Sequence, residues 1–416
     1  MLISPFSRIF AARSQHFQMN QNSSFRQTMP VLLALSACHL FNDLMQSVVS
    51  ASYPLIKDDM ALSYAQIGLI SLVYQLAASV FQPVVGYVFD RHPVSRSLNI
   101  ASVFTLVGLA LVALADSIWA MTVAVFLVGL GSAVIHPEAS RITSLASAGH
   151  RGMAQSLFQV GGNVGGSVGP LLVAAIVATR GRAHIAWFCL VAVIAIIVSR
   201  PACRWYSTFL RSMRHENRRM TPPRPRPLSL PMTLFALAVI TILIFSKYIY
   251  MASLSNYYTF YAIEHFGVSI AFSQVMLFVF LLSTAVGTLV GGPVGDKIGR
   301  KYVIWISILG TAPFSLLMPH AGLYGTIALS FGAGFMLSSA FPAILLYAQE
   351  LLPNKLGLVS GLFYGFAFGV AGVASAILGQ YVDLYGLDAV YAFCAYTPLA
   401  GIVAAFLPNL HTVRYA

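Results

Sequence analysis

The chain reads as an all-α integral membrane protein, and three observations lead there. Of its 416 residues, 58% are hydrophobic and only 9% are charged, against about 25% charged in an ordinary soluble domain. Uncharged apolar stretches recur along the whole sequence, and about 20 such residues cross a bilayer as a helix. Backbone amides in hydrocarbon must be bonded internally, so only helices and closed barrels span it. Continuous apolar runs lack the alternation of barrel strands.

Each span follows from a stretch free of Asp, Glu, Lys and Arg. The long ones cover 60–89, 152–179, 266–295, 321–349 and 356–382, and shorter ones cover 97–115, 117–137, 185–199, 302–319 and 389–407. Two more, 28–56 and 228–263, are clean except for one central charge, Asp43 and Lys247. Together they predict twelve spans in two sets of six. The expected organisation is an N-terminal tail (1–29), a six-helix bundle (30–200), a basic linker (201–228), a second six-helix bundle (229–408) and a C-terminal tail (409–416).

With both termini in the cytoplasm, all of the 24 Lys and Arg except Lys57, Arg180, Arg182 and Lys247 fall on the inner side or in the central linker. That is the positive-inside pattern. The net charge of +12 is thus a topology signal, and contact with anionic lipid explains the Arg-rich linker better than nucleic-acid binding. The first 28 residues contain no acidic residue and include Arg8 and Arg13, which fits a cytoplasmic tail or the composition of a transit peptide. The four cysteines form no CxxC pair, so neither a disulfide framework nor a metal site is expected.

The two sets of spans repeat each other. Gly86-x-x-x-Asp90-Arg91 after the second span recurs as Gly292-x-x-x-Asp296-Lys297 after the eighth. In nearly the same register Pro137 matches Pro342, Tyr53 matches Tyr258, and Gly152, Leu157 and Phe158 match Gly357, Leu362 and Phe363. Internal duplication of this kind marks many secondary transporters, whose substrates sit near the midplane between repeats.

The segment from Gly292 to Lys301, with Asp296, Lys297, Gly299 and Arg300, resembles the signature loop of the major facilitator superfamily. His39-Leu-Phe-Asn42-Asp43, Asp90-Arg91-His92-Pro93, His136-Pro137-Glu138 and the run from Gln155 through Gln159 to Asn163 resemble the fosmidomycin-resistance family within it. The resemblance implies a major-facilitator-type fold of two pseudo-symmetric bundles. It also implies drug–proton antiport and a bacterial inner-membrane location. The signature loops imply a latch on the outward-facing state, carried here by Gly86, Asp90, Arg91, Gly292, Asp296, Lys297 and Arg300. Gly161, Gly165, Gly169 and Pro170 are partly similar to the glycine motif of drug–proton antiporters, without its terminal glycines; close helix packing explains them equally well.

Polar residues at helical spacing mark inward faces. Ser36, His39, Asp43, Gln46 and Ser50 share a face of the first span, Gln75 lies in the second, and Gln159 and Asn163 in the fifth. Such faces either bind helices together or line a wet pathway. Asp43 and Lys247 sit near the middle of pseudo-equivalent spans, where a charge costs several kcal/mol unless paired, hydrated or functional. Asp43 reads as a proton carrier tuned by His39, or as one half of a standing ion pair with Lys247. His136 and Glu138 are the next coupling candidates, although Glu138 and Arg141 are also placed to pair with each other. Lys247, Tyr250 and Tyr257, with Gln75, Gln159 and Asn163, are the expected substrate contacts.

No phosphate-binding loop or nucleophile constellation appears in the sequence, so an enzyme or an ATP-driven pump is not expected, and no cofactor is implied. The expected function is proton-coupled export of small molecules by a monomer in the bilayer. The competing readings are a symporter importing an organic anion or sugar phosphate, and a non-transporting receptor or membrane-bound enzyme.

Overall fold

The computed structural model describes residues 25–62, 64–215 and 227–410. Expectations placed on 1–24, 216–226 and 411–416, including those for Arg8, Arg13, Arg218, Arg219, Arg224, Arg226 and Arg414, lie outside the described residues.

All regular elements among the described residues are helical. The main ones are α1 (Phe25–Ala51), α2 (Tyr64–Arg91), α3 (Ser97–Leu114), α4 (Ile118–Ala146), α5 (Arg151–Leu172), α6 (Phe188–Val198) and α7 (Arg200–His215). They continue as α8 (Leu230–Phe266), α9 (Ile270–Ile298), α10 (Arg300–Leu309), α11 (Leu323–Leu351), α12 (Leu356–Tyr385) and α13 (Leu387–Cys394). Eleven helical segments among the described residues are long and apolar enough to cross a bilayer. The remaining expected span, 152–179, is helical as α5 and continues through a π turn, Val173–Val177. It is less apolar because Gln155, Gln159, Asn163 and six glycines occupy its length.

The chain divides into two compact units. The first holds the described residues up to 215 together with Leu352–Phe366; the second holds those from 227 to 351 and from 367 onward. Each has its own apolar core. Met45, Val48, Ile70, Val112, Val125, Val128 and Phe188 belong to the first. Leu254, Tyr258, Met276, Phe280, Leu337 and Tyr391 belong to the second. Outward positions are apolar too: Val80, Val84, Leu114, Leu190 and Ile197 in the first unit, and Phe393, Ile402 and Phe406 in the second, are exposed. Large apolar surfaces of this kind belong against lipid.

The segment expected as a linker from residue 201 is helical as far as His215. Ala202, Cys203, Tyr206, Phe209, Leu210 and Met213 are buried at helical spacing, while Arg200, Arg204 and Arg211 are exposed. The arginines that suggested a loop therefore occupy one face of an amphipathic helix.

Within the first unit α1 and α5 lie in backbone contact. A β-carbon on Gly161 would stand 2.0 Å from the Ser36 carbonyl oxygen, and one on Gly165 would stand 2.1 Å from that of Leu40. Ser36 Oγ donates to the Leu157 carbonyl at 2.6 Å, and Ser47 Oγ to that of Gly166 at 2.8 Å. Part of the polar stripe on the first span is thus helix-to-helix bonding through small residues. The rest of it, His39, Asp43 and Gln46, builds a site.

Candidate functional site

Asp43 is the centre of a buried polar cluster. Its Oδ2 lies 3.2 Å from His39 Nε2, one turn back on α1, and its Oδ1 lies 3.3 Å from His136 Nε2 on α4. Oδ1 also accepts from Asn42 Nδ2 at 3.0 Å and Gln46 Nε2 at 3.2 Å. Gln46 is itself fixed by the Tyr74 hydroxyl, which donates to its Oε1 at 2.5 Å.

Both imidazoles are oriented from behind. His39 Nδ1 donates to the Phe158 carbonyl at 2.8 Å, and His136 Nδ1 donates to the Ser132 carbonyl at 3.0 Å. A carbonyl oxygen can only accept, so His39 Nδ1 carries a hydrogen; His136 Nδ1 also faces the Ser132 hydroxyl at 3.2 Å. The Nε2 atoms of both rings face the Asp43 carboxylate. The His39 ring stacks on Phe158 at 4.2 Å and meets the edge of His136 at 4.9 Å. His136 also lies 5.3 Å from the Tyr364 ring, whose hydroxyl donates to Gln159 Oε1 at 2.9 Å.

A second network occupies the same unit. Asp90, at the end of α2, accepts from the backbone amides of Gly357 at 3.0 Å and Leu358 at 2.9 Å. These lie in the first turn of α12, where amides lack intrahelical partners and the helix dipole favours an anion. Gly86 permits the approach, since a β-carbon there would stand 2.1 Å from the Gly357 carbonyl oxygen. Arg141, fully buried on α4, bridges outwards from Asp90. Its Nε lies 3.1 Å from Asp90 Oδ1, and its Nη1 donates to Glu138 Oε2 at 3.0 Å and to Tyr206 Oη at 2.5 Å. Ser97 Oγ donates to Glu138 Oε1 at 3.4 Å.

The expected residues thus fall into distinct places. His39, Asp43 and His136 meet. Glu138, two residues from His136, is instead committed to Arg141. Gln159 is bonded to Tyr364, while Gln75 and Asn163 are half-buried on α2 and α5. Arg91 lies over the Tyr87 ring at 4.2 Å. In the second unit Arg300 Nη2 donates to Asp296 Oδ1 at 2.5 Å, Gly292 is buried and Lys297 is exposed. Lys247 is 2% exposed, with its ammonium 5.3 Å from the Tyr248 ring centre and 5.1 Å from that of Phe341. Tyr250 is buried in the second core with Leu254, Tyr258 and Tyr391, and Tyr257 is half-buried beside it.

Sequence reasoning missed Tyr206, which sat in the expected linker, and the backbone acceptors Phe158 and Ser132. It also did not foresee that Asp90 reaches the start of α12. The recurrence of Cys203, Tyr206, Phe209 and Leu210 at helical spacing was the available signal.

Helices with apolar exteriors and charges gathered inside have the build of a polytopic membrane protein. The sequence matches the Major Facilitator Superfamily profile over residues 35–269 and 237–414. It is 51% identical over 389 residues to the fosmidomycin resistance protein of Escherichia coli (strain K12), covering 92% of this chain and 94% of that protein. It is 37% identical over 388 residues to the uncharacterized MFS-type transporter YfnC of Bacillus subtilis (strain 168), with the same coverage. The fold matches the major facilitator transporter FucP in its outward conformation at a TM-score of 0.67, 15% identity and 91% and 98% coverage of the two chains. The human organic anion transporter MFSD10 matches at 0.68, 14% identity and 91% and 99% coverage. The chain belongs to the major facilitator superfamily, and within it to the fosmidomycin-resistance type.

Removing one partner of a buried ion network costs about 3–5 kcal/mol. Arg141→Ala leaves Asp90 and Glu138 buried without their shared cation, so a loss of that order is expected. The check is thermal unfolding of purified protein. Arg141→Lys should recover only part of it, because one ammonium cannot reproduce the planar fork of donors. An unchanged midpoint for Arg141→Ala would show that the network contributes nothing to stability.

Proposed function

We propose that this transporter exports small molecules, fosmidomycin-like compounds among them, in exchange for protons by alternating access. The direction rests on 51% identity along almost the whole chain to a protein named for fosmidomycin resistance. The coupling rests on one observation: a mid-span carboxylate, Asp43, held between two imidazoles at 3.2 and 3.3 Å. In this reading the proton is shared among Asp43, His39 and His136, and Glu138 is the reserve carrier. Small-molecule contacts come from Lys247, Tyr250 and Tyr257 in the second unit and from Gln75, Gln159 and Asn163 in the first. The protein works as a monomer in the bacterial inner membrane, with both termini cytoplasmic.

The two signature loops are the gating elements of this reading: Gly86, Asp90 and Arg91 in one copy, and Gly292, Asp296, Lys297 and Arg300 in the other. Asp90 holds the first turn of α12 through charge-assisted hydrogen bonds, which are stronger than neutral ones. Such a contact is suited to be made in one state of the cycle and broken in another.

Three measurements in proteoliposomes test the proposal. Asp43→Asn cannot ionise, so it should abolish export driven by an imposed pH gradient while retaining exchange of labelled substrate down its own gradient. If this variant still concentrates substrate, the carrier lies elsewhere and Glu138 is next. Asp90→Asn should slow turnover with substrate affinity nearly unchanged; a large loss of binding with normal cycling would refute the gating role. Lys247→Ala should weaken anionic substrates more than neutral ones, and equal losses would assign Lys247 to structure.

A further inference from the structure

We propose that His39, Asp43 and His136 form a binding site for a divalent transition-metal cation of the zinc class. The inference rests on ligand geometry within the first unit; it uses the residues that carry the proposed proton coupling, and its test measures metal binding alone.

Three features build the site. The first is the donor set, two imidazole nitrogens and a carboxylate, which suits zinc and its neighbours better than the oxygen-only sets of calcium or magnesium. The second is spacing. Zinc–ligand bonds of about 2.0–2.1 Å in a tetrahedron place neighbouring ligand atoms about 3.3 Å apart. His39 Nε2 lies 3.2 Å from Asp43 Oδ2 and His136 Nε2 lies 3.3 Å from the other oxygen, Oδ1, and all the potential ligand atoms lie within 4.8 Å of one another, so a common ion is reached through one carboxylate oxygen or both. The third is orientation. Metal-bound histidines characteristically donate their other ring N–H to a carbonyl or carboxylate, which fixes the tautomer and aims the free nitrogen at the ion. Here both rings do so, to the Phe158 and Ser132 carbonyls. Two buried ring nitrogens therefore converge on one carboxylate, an arrangement that a cation between them would hold together.

The surroundings fit an ion. The His39 and His136 side chains are almost wholly enclosed, at 1% and 0% exposed, whereas that of Asp43 is 20% exposed, which leaves one side open for entry. Three protein ligands leave a fourth position for water or a small oxygen donor, as in open zinc sites. Gly162 keeps the space clear: a β-carbon there would stand 2.4 Å from the His39 ring and 2.6 Å from Asp43 Oδ2.

The test uses the full-length purified transporter with any affinity tag removed, stripped of metal, with Zn²⁺ and Co²⁺ as probes and no transport measured. Calorimetry should show one Zn²⁺ per chain. Co²⁺ should give the intense visible absorption of a four-coordinate ion, displaced by Zn²⁺. His39→Gln, Asp43→Asn and His136→Gln should each weaken binding by at least about tenfold, since even the residues behind the ligands typically matter by 10–100-fold. His136→Cys should retain binding and add a sulfur-to-cobalt charge-transfer band, which separates loss of a ligand from loss of fold. Absence of the four-coordinate cobalt spectrum in the unsubstituted protein overturns the proposal. So does zinc binding that the three ligand variants leave unchanged. Neither result touches the proton-coupling reading, which is tested by gradient-driven export.

Discussion

An ionised side chain buried among apolar helices is tolerated only where counter-charges and hydrogen bonds reach it. The first unit is organised around meeting that condition twice. Arg141, with no exposed surface, engages Asp90, Glu138 and Tyr206, residues delivered by α2, α4 and α7. Asp43 is met from α1 and α4 by two histidines and two amides. Helix α4 serves both networks, presenting Ser132 and His136 to one and Glu138 and Arg141 to the other. Pro137 stands between the two sets; lacking an N–H, it leaves the backbone carbonyl one turn earlier without its usual helical partner.

These networks require short distances between helix axes. In hydrocarbon there is no apolar driving force between helices, so approach depends on small residues that let backbones touch. Gly161 and Gly165 bring α5 against α1, and this places the Phe158 carbonyl within reach of the His39 ring. Gly86 brings α2 against the first turn of α12, and this allows Asp90 to accept from Gly357 and Leu358. Close packing and side-chain chemistry are thus one arrangement: a larger residue at these glycines would part the helices and leave polar groups without their partners.

Much of this was legible in the chain. Charge-free stretches located the spans because hydrocarbon excludes charge, and the duplicated Gly-x-x-x-Asp loops marked the superfamily because their spacing is local. Asp43, His39 and His136 stood out as polar residues where apolar ones were expected, and Asp90 through the repeated loop motif. Other parts were hidden. The arginines of α7 hid a helix because an amphipathic helix and a basic loop share composition, and periodic burial appears only once there is something to bury against. That Tyr250 packs with Tyr258 and Tyr391 in the second core was likewise invisible in the chain, because it depends on contacts between distant residues.

The sequence by itself determined which segments enter the membrane, the repeated six-span plan and which polar residues go inside with them, because those follow from transfer of each residue into hydrocarbon. Only the tertiary structure decided the partnerships. His136 turns to Asp43 while its near neighbour Glu138 turns to Arg141, since residues two apart on a helix point to different sides. Which distant helix waits on each side is set by packing, through contacts between residues far apart in the chain that no local pattern encodes.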